Sequence, residues 1–120
     1  MSTTAITPQI PSGSTNGRGI KVAATATPGT TIHTATSVSG EMDEITLYAN
    51  NSHTADVLLT VELGGVTSPD DVVQYTVPLK SGLNIIVSGH RLNGGVVVKA
   101  FAATANVIVI FAEVNRIATS

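Results

Sequence analysis

The chain has 120 residues and a net charge of −2, and only 12% of its residues are charged, about half the proportion of a typical soluble domain. This length predicts a single domain, and the absence of cysteine excludes disulfide bonds and thiolate chemistry. The six Lys and Arg residues are scattered and aromatic residues make up only 3%, so we expect no nucleic-acid partner.

The first 19 residues are rich in Ser, Thr, Pro and Gly and have little to bury. They predict a flexible or extended N-terminal arm, followed by a domain over residues 20–120. Ile6 and Ile10 are the sizeable apolar anchors of this arm. Deletion of residues 2–17 is therefore expected to leave the strands intact and to weaken attachment to a neighbour. The N-terminus lacks a charged segment followed by an apolar one, so it does not resemble a secretory signal.

From Gly19 the sequence alternates between short β-prone runs and turn residues. The runs "GIKVAATAT" and "TTIHTATSV" flank a turn at Pro28-Gly29. In "DEITLYAN" every second residue is apolar, and "ADVLLTVEL" repeats this pattern, as expected for strands with one buried face. The residues predicted to face the core in these two strands are Ile45, Leu47, Ala49, Val57, Leu59, Val61 and Leu63.

The middle of the chain continues in the same manner. "SPDD" predicts at most one helical turn, because the β-branched "VVQYTVPL" that follows is typical of a strand. In "LNIIV" we expect Leu83, Ile85 and Val87 to share one face. Seven or eight strands at spacings of about ten residues, with no helical period, predict an all-β antiparallel sandwich. Jelly-roll and immunoglobulin-like topologies both remain open at this point.

The most apolar stretch is "GGVVVKAFAATANVIVIFAEVNRI", near the C-terminus. Lys99, Thr104 and Asn106 interrupt it, and a membrane-spanning helix needs about 20 predominantly apolar residues. Two strands joined by "ATAN" fit the β-branched composition better, so we expect no membrane partner.

The last strand of this stretch has apolar residues on both faces, and an uncovered apolar face promotes aggregation. The wall of a closed barrel, the N-terminal arm or a second subunit would each cover it. The low charge content favours a second subunit, and hence a homo-oligomer, most simply a trimer. The residues predicted to lie at this interface are Ile6, Ile10, Val97, Phe101, Ile108, Ile110 and Val114.

No motif for catalysis or metal binding is evident. His33, His53 and His90 are far apart in sequence, without the spacing of metal ligands. The acidic clusters 41–44 and 70–71 match no calcium loop, and neither a nucleophile elbow nor a phosphate loop is present. We therefore expect no cofactor, no metal and no catalytic residue, and a protein that is not an enzyme. A ring of histidines contributed by several subunits remains open.

Two longer segments, "ITLYANNSHTADVLLTVELGG" and "YTVPLKSGLNIIVSGHRLNGGVVVKAFAATANVIVIFAEVNRI", carry a family resemblance. A strand pair is followed by a "V-P-L-x-x-G" segment and a closing "G-x-x-V-x-A-x-A-x-x-A-N-V-x-V" hairpin. The matching residues are Ile45, Asn50, Val57, Val61, Val77, Pro78, Leu79, Gly82, Gly95, Val97, Lys99, Ala100, Ala105, Asn106 and Val107. Over roughly residues 43–117 the chain resembles small all-β virion proteins of tailed bacteriophages.

This resemblance implies a structural protein of the virion, made in the host cytoplasm and acting without catalytic residues. Its partners would be the major capsid protein or other virion proteins, with capsid decoration (cement) as the expected role. The alternative is a tail, fibre or baseplate accessory whose sandwich recognises a host surface or glycan. Loops such as "NNSHTA" and "SGHRLNGG" contain no aromatic residue for stacking on sugars, which favours the structural role.

Overall fold

Strands and turns make up the regular structure of residues 4–119, the part of the chain that a computed structural model describes. No helix is present within these residues, so the all-β prediction is confirmed. The strands of the described residues are β1 (Thr4–Gln9), β2 (Ile20–Lys21), β3 (Thr30–Thr34), β4 (Glu41–Asn51), β5 (Val57–Leu63), β6 (Val72–Val77), β7 (Asn84–Leu92), β8 (Val97–Ala102) and β9 (Ile108–Thr119).

The strands form two antiparallel sheets that pack as a sandwich. The first sheet has the order β1-β9-β4-β7, with β2 also paired to β9, and the second sheet has the order β3-β8-β5-β6. If β1 and β2 are taken as two pieces of one edge strand, this is the strand order of a jelly roll. The structure thus selects the jelly roll from the two topologies that the sequence left open.

The two C-terminal strands do not pair with each other, because β8 lies in the second sheet and β9 in the first. The hairpin expected at "ATAN" is therefore wrong. Instead, this turn carries the chain from one sheet to the other. Asn106 adopts a positive φ of 66° there, a left-handed conformation that Asn tolerates better than most residues.

The core lies between the sheets and is built by alternate residues of the long strands. The predicted core residues of β4 and most of those of β5 are buried, with Leu63 partly buried at the end of β5. Full burial of such a side chain contributes about 1.5–3 kcal/mol to stability. Further buried apolar side chains come from the segments around the sheet edges and from β8 and β9, namely Ile20, Val22, Ile32, Val98, Ala100, Ala102, Ile108, Ile110 and Val114.

Strand β7 departs from the expected pattern. Ile85 pairs with Tyr48, whereas Val87 pairs with Leu47, and a register shift lies between the two pairs. The shift indicates a β-bulge, which places an extra residue on one strand and reverses the inward and outward positions beyond it. Ile85 therefore points to solvent and Val87 to the core, so the prediction that they share a face is wrong.

The N-terminal residues belong to the sandwich. Strand β1 pairs along Val114–Thr119 of β9, and the following loop crosses to the edge of β3, where Gly13 donates its N–H to the Ile32 carbonyl (2.9 Å). A Cβ at position 13 would collide with main-chain oxygens of β3, so glycine permits this close approach. A separate N-terminal arm is not confirmed. Residues 1–3 and 120, which the predicted arm and domain include, lie outside the described residues.

Candidate interaction surface

The seven residues predicted to form an interface are not brought together. Ile108, Ile110 and Val114 are corrected to core positions, because this face of β9 points at the second sheet. Their apolar surface is already covered by the chain itself. Ile6 and Ile10 are 63% and 57% exposed. The other two residues, Val97 and Phe101, are half-buried on the outer side of β8.

The outward side of the first sheet carries the largest regular set of apolar side chains that the second sheet does not cover. Towards one end of this side, Phe111 of β9 and Ile85 of β7 flank Tyr48 of β4 in cross-strand register. Phe111 is 37% exposed and Ile85 is 61% exposed. Cross-strand neighbours on one face touch each other, so the three side chains form a continuous row. We call the outward side of the first sheet the outer face.

A second apolar row lies towards the other end of the outer face. Ile6 of β1 and Met42 of β4 are both in register with Ile117 of β9. Strand β1, expected to be an arm, thus extends the outer face by one strand. The two rows give the outer face apolar side chains near both of its ends.

A polar band separates the two apolar rows. Arg91 donates from Nε to the Glu44 carboxylate at 3.2 Å, and the Tyr48 hydroxyl donates to Glu113 at 3.3 Å. The negative charge of Glu113 raises the pKa of the Tyr48 hydroxyl. Protein–protein interfaces contain both apolar contacts and hydrogen bonds, and the outer face has groups for each.

The dimensions of the outer face suit a protein partner. Strand β9 has 12 residues, which corresponds to a length of about 40 Å, and four adjacent strands span about 19 Å. Allowing for the shorter strands β1 and β7, the footprint is roughly 600 Å², at the lower end of the ~600–1,000 Å² that each partner of a standard stable interface contributes.

An open groove of about 370 Å³ borders the outer face beside β2. Its lining includes Arg18, Lys21 and the ring of Phe111. Two of the six cationic residues of the chain thus lie beside an apolar row. A partner that buries this row would meet positive charge at its margin.

A buried polar cluster links the two sheets on the core side. Asp43 of β4 accepts two hydrogen bonds from Arg116 of β9, at 2.8 and 3.0 Å, and one from the Thr36 N–H at 3.1 Å. The Nε2 atom of His33, on β3 of the other sheet, is 2.7 Å from an Asp43 oxygen. Burial alone would raise the pKa of Asp43, but the bonds from Arg116 and His33 outweigh it and hold the pKa below its usual value.

The same cluster contains the residue types of a Ser-His-Asp triad, because Ser12 contacts His33. The contact, however, is made by the Ser12 main-chain N–H, which donates to His33 Nδ1 at 3.0 Å. The Ser12 Oγ atom accepts from the Thr34 N–H instead, and the ring is only 2% exposed. In a catalytic triad the hydroxyl oxygen of the nucleophile is hydrogen-bonded to the histidine that acts as base, and substrate can reach both groups. The geometry is that of a structural cluster.

A second buried carboxylate, Glu62 of β5, lies beneath the outer side of the second sheet. It accepts hydrogen bonds from the Thr27 hydroxyl and from the Gly29 N–H, the latter at 2.7 Å. A cavity of about 120 Å³ adjoins it, with Phe101 and Gln74 among its lining residues. Glu62 thus fastens the turn before β3 to β5.

The remaining candidate residues do not converge. His53 and His90 lie in the turn after β4 and in β7, at different positions in the fold. Within residues 4–119, no group of three His, Cys, Asp or Glu side chains is arranged to hold a metal ion. Nor does this part of the chain contain a helix with the length and apolarity needed to cross a bilayer.

Sequence reasoning missed the role of Tyr48 and Phe111 in the outer face. For Tyr48 the signal was present, since it lies on the face of β4 opposite the predicted core residues. Phe111 lies opposite Ile108, Ile110 and Val114, which were predicted to form the interface but are buried. No protein-family model matches this sequence, and no curated protein matches it well enough to count as a relative.

Proposed function

We propose that this chain is a non-enzymatic structural protein of a bacteriophage virion, most simply a capsid decoration or cement protein. In this proposal it binds the major capsid protein or a neighbouring virion protein, assembles as a homo-oligomer such as a trimer, and stabilises the shell. Its location is the virion, after synthesis in the host cytoplasm.

The observation that carries the proposal is the outer face. A regular strand surface with exposed Phe111, Ile85 and Ile6 is an aggregation hazard in an isolated protein. Burial of this surface in a permanent assembly would prevent the aggregation. The footprint of roughly 600 Å² is at the lower end of what one partner contributes to a stable contact.

Two further considerations support it. The jelly roll is a recurrent fold of viral capsid domains, although it also occurs in lectins and cupins, so the fold alone is only an analogy. The resemblance over residues 43–117 points to virion proteins independently of the strand order. The "V-P-L" segment of this resemblance, residues 77–79, lies at the end of β6 and in the turn that follows.

The test is an electron-microscopic reconstruction of virus particles that encode this chain, together with quantitative mass spectrometry of the purified particles. We expect a fixed copy number on the shell and density for the jelly roll with its outer face against a neighbour. Loss of the protein should leave particles that assemble but break at lower temperature. Absence of the chain from purified particles would contradict the proposal.

The alternative is a tail, fibre or baseplate accessory in which the second sheet recognises a glycan. The cavity beside Phe101 supports it, because an aromatic ring, the Gln74 amide and the Glu62 carboxylate line one space. Such groups suit sugar binding. A glycan array probed with the purified protein would separate the alternatives: saturable binding that Phe101→Ala abolishes favours the accessory.

A further inference from the structure

The loop between β1 and β2 is held on the edge of β3 by three hydrogen bonds. Gly13 N–H donates to the Ile32 carbonyl at 2.9 Å, and Thr34 N–H donates to Ser12 Oγ at 2.8 Å. The third bond runs from Ser12 N–H to His33 Nδ1, at 3.0 Å. Only this third bond is accepted by a side-chain nitrogen, an atom that can itself take up a proton.

The two contacts of His33 define its protonation state. Because Nδ1 accepts the Ser12 N–H, it carries no hydrogen, and the neutral ring holds its hydrogen on Nε2. This hydrogen points at the Asp43 oxygen, 2.7 Å away. If Nδ1 also carried a proton, it would be a donor and would face the Ser12 N–H, which is a donor too. The hydrogen bond to Ser12 would then be lost.

The bond to Asp43 survives proton uptake, because Nε2 donates in both protonation states. The charged groups on the elements packed around the ring are Asp43 and Glu41 on β4 and Arg116 on β9. On β8 the ring lies opposite the uncharged Val98. Asp43 therefore receives the new positive charge, and the disruption falls on Ser12.

We propose that His33 is a proton-sensitive latch for the loop between β1 and β2. The neutral ring fastens Ser12 to the edge of β3, and the protonated ring stays on Asp43 but releases the loop. Release uncovers main-chain groups at the edge of β3. The latch does not depend on the proposed function.

Amide hydrogen exchange measured by NMR tests the latch in the full chain. We expect the protection factors of Ser12 and Gly13, corrected for intrinsic exchange and followed from about pH 7.5 to 4.5, to fall about tenfold once the ring is protonated. The amides of β4 and β9 should stay protected. In His33→Asn, the side-chain oxygen takes the place of Nδ1 and does not titrate, so protection at Ser12 should not depend on pH.

The nitrogen shifts of the wild-type ring give a readout that needs no variant, in case His33→Asn fails to fold. Under conditions in which Ser12 is protected, the ring should be neutral with its hydrogen on Nε2. A hydrogen on Nδ1, a ring that stays neutral throughout the range, or unchanged protection at Ser12 while the ring gains a proton would each overturn the latch. So would the same pH-dependent loss in His33→Asn.

Discussion

Asp43 joins the two sheets through a buried polar cluster. Its carboxylate is fully buried and receives donors from β9, from β3 and from the turn after β3. A buried carboxylate is costly unless it is both paired with a cation and hydrogen-bonded. Arg116 provides the cation, and its own pKa is raised by the hydrogen bond to Asp43.

Asp43→Asn should lower the free energy of unfolding by about 3 kcal/mol at neutral pH, because the change removes one partner of a buried ion pair. The folded-state pKa of Asp43 lies below its usual 3.8. Its stabilising contribution is therefore present above that pH and lost as the pH falls through the folded-state value. Urea unfolding from pH 7 to pH 2 should show a shallower acid-induced loss in the variant.

The matched control is Glu44→Gln, which removes the exposed ion pair with Arg91. It should cost less than about 1 kcal/mol. Equal losses for the two variants, or the same pH dependence in Asp43→Asn as in the wild type, would show that the buried pair contributes no more than an exposed one.

Glu62 gives a second prediction for a single residue. In Glu62→Gln the amide oxygen still accepts the Gly29 N–H, and the Thr27 hydroxyl can turn from donor to acceptor. We expect a cost below about 1 kcal/mol for this variant and about 2–3 kcal/mol for Glu62→Ala, which leaves a main-chain N–H without a partner. Thermal unfolding of the two variants distinguishes these values, and equal melting temperatures would contradict the assigned hydrogen bonds.

At the level of elements, the alternation of apolar and polar residues predicted the buried faces of β4 and β5 well. Each of these strands has one apolar face and one mixed face. Alternation failed on β9, whose two faces are both apolar, so nothing in its own sequence says which face meets the second sheet. It also failed on β7, because a bulge depends on the partner strand. The pairing of β8 and β9 with different sheets is set by long-range contacts, which local patterns do not contain.

The candidate site was predictable only in its general nature. An apolar surface in need of cover followed from the composition of the last strand. Its location required the strand order, since Ile85 reaches Tyr48 only through the shifted register of β7. The cluster around Asp43 left no sequence signal, because Ser12, His33 and Arg116 come from separate parts of the chain.

Two N-terminal truncations test how the first strand and the loop contribute. Removal of residues up to Gln9 deletes β1, whose side chains are mostly exposed, and should lower the melting temperature by only a few degrees. Removal up to Arg18 also deletes the bonds of Ser12 and Gly13 and the buried Pro11. It should cost about 3 kcal/mol more.

Circular dichroism and thermal melting of both truncated chains provide the measurement. This expectation revises the sequence-based one for residues 2–17, because Ser12 and Gly13 contact β3. Identical melting temperatures for the two truncated chains would show that the loop is only loosely attached and would restore the earlier expectation.

For the whole molecule, the jelly roll gives the two sheets different exteriors. Two turns partly cover the outer side of the second sheet. Thr27, from the turn before β3, and Ser68, from the turn before β6, adjoin the cavity beside Phe101. On the first sheet the ring of Phe111 lies against Gly19, but Phe111 is still 37% exposed and Ile85 is 61% exposed. This asymmetry makes the outer face the natural place for self-association or docking.

Ile85→Lys tests this asymmetry. A charge at the β7 end of the apolar row should oppose burial of the outer face, because a lysine there would lose its hydration. We expect sedimentation velocity at micromolar concentration to show an oligomer for the wild type and a shift of at least tenfold in its dissociation constant for the variant. The melting temperature of the dilute protein should hardly change, since Ile85 is already 61% exposed.

Leu58→Lys is the matched control, because Leu58 is an exposed apolar residue on the outer side of the second sheet. It introduces the same charge and should leave self-association unaltered if the outer face of the first sheet is the contact. A monomeric wild type would remove the homo-oligomer from the proposal. Dissociation by Leu58→Lys but not by Ile85→Lys would place the contact on the second sheet, where the half-buried Val97 and Phe101 would become the residues to test next.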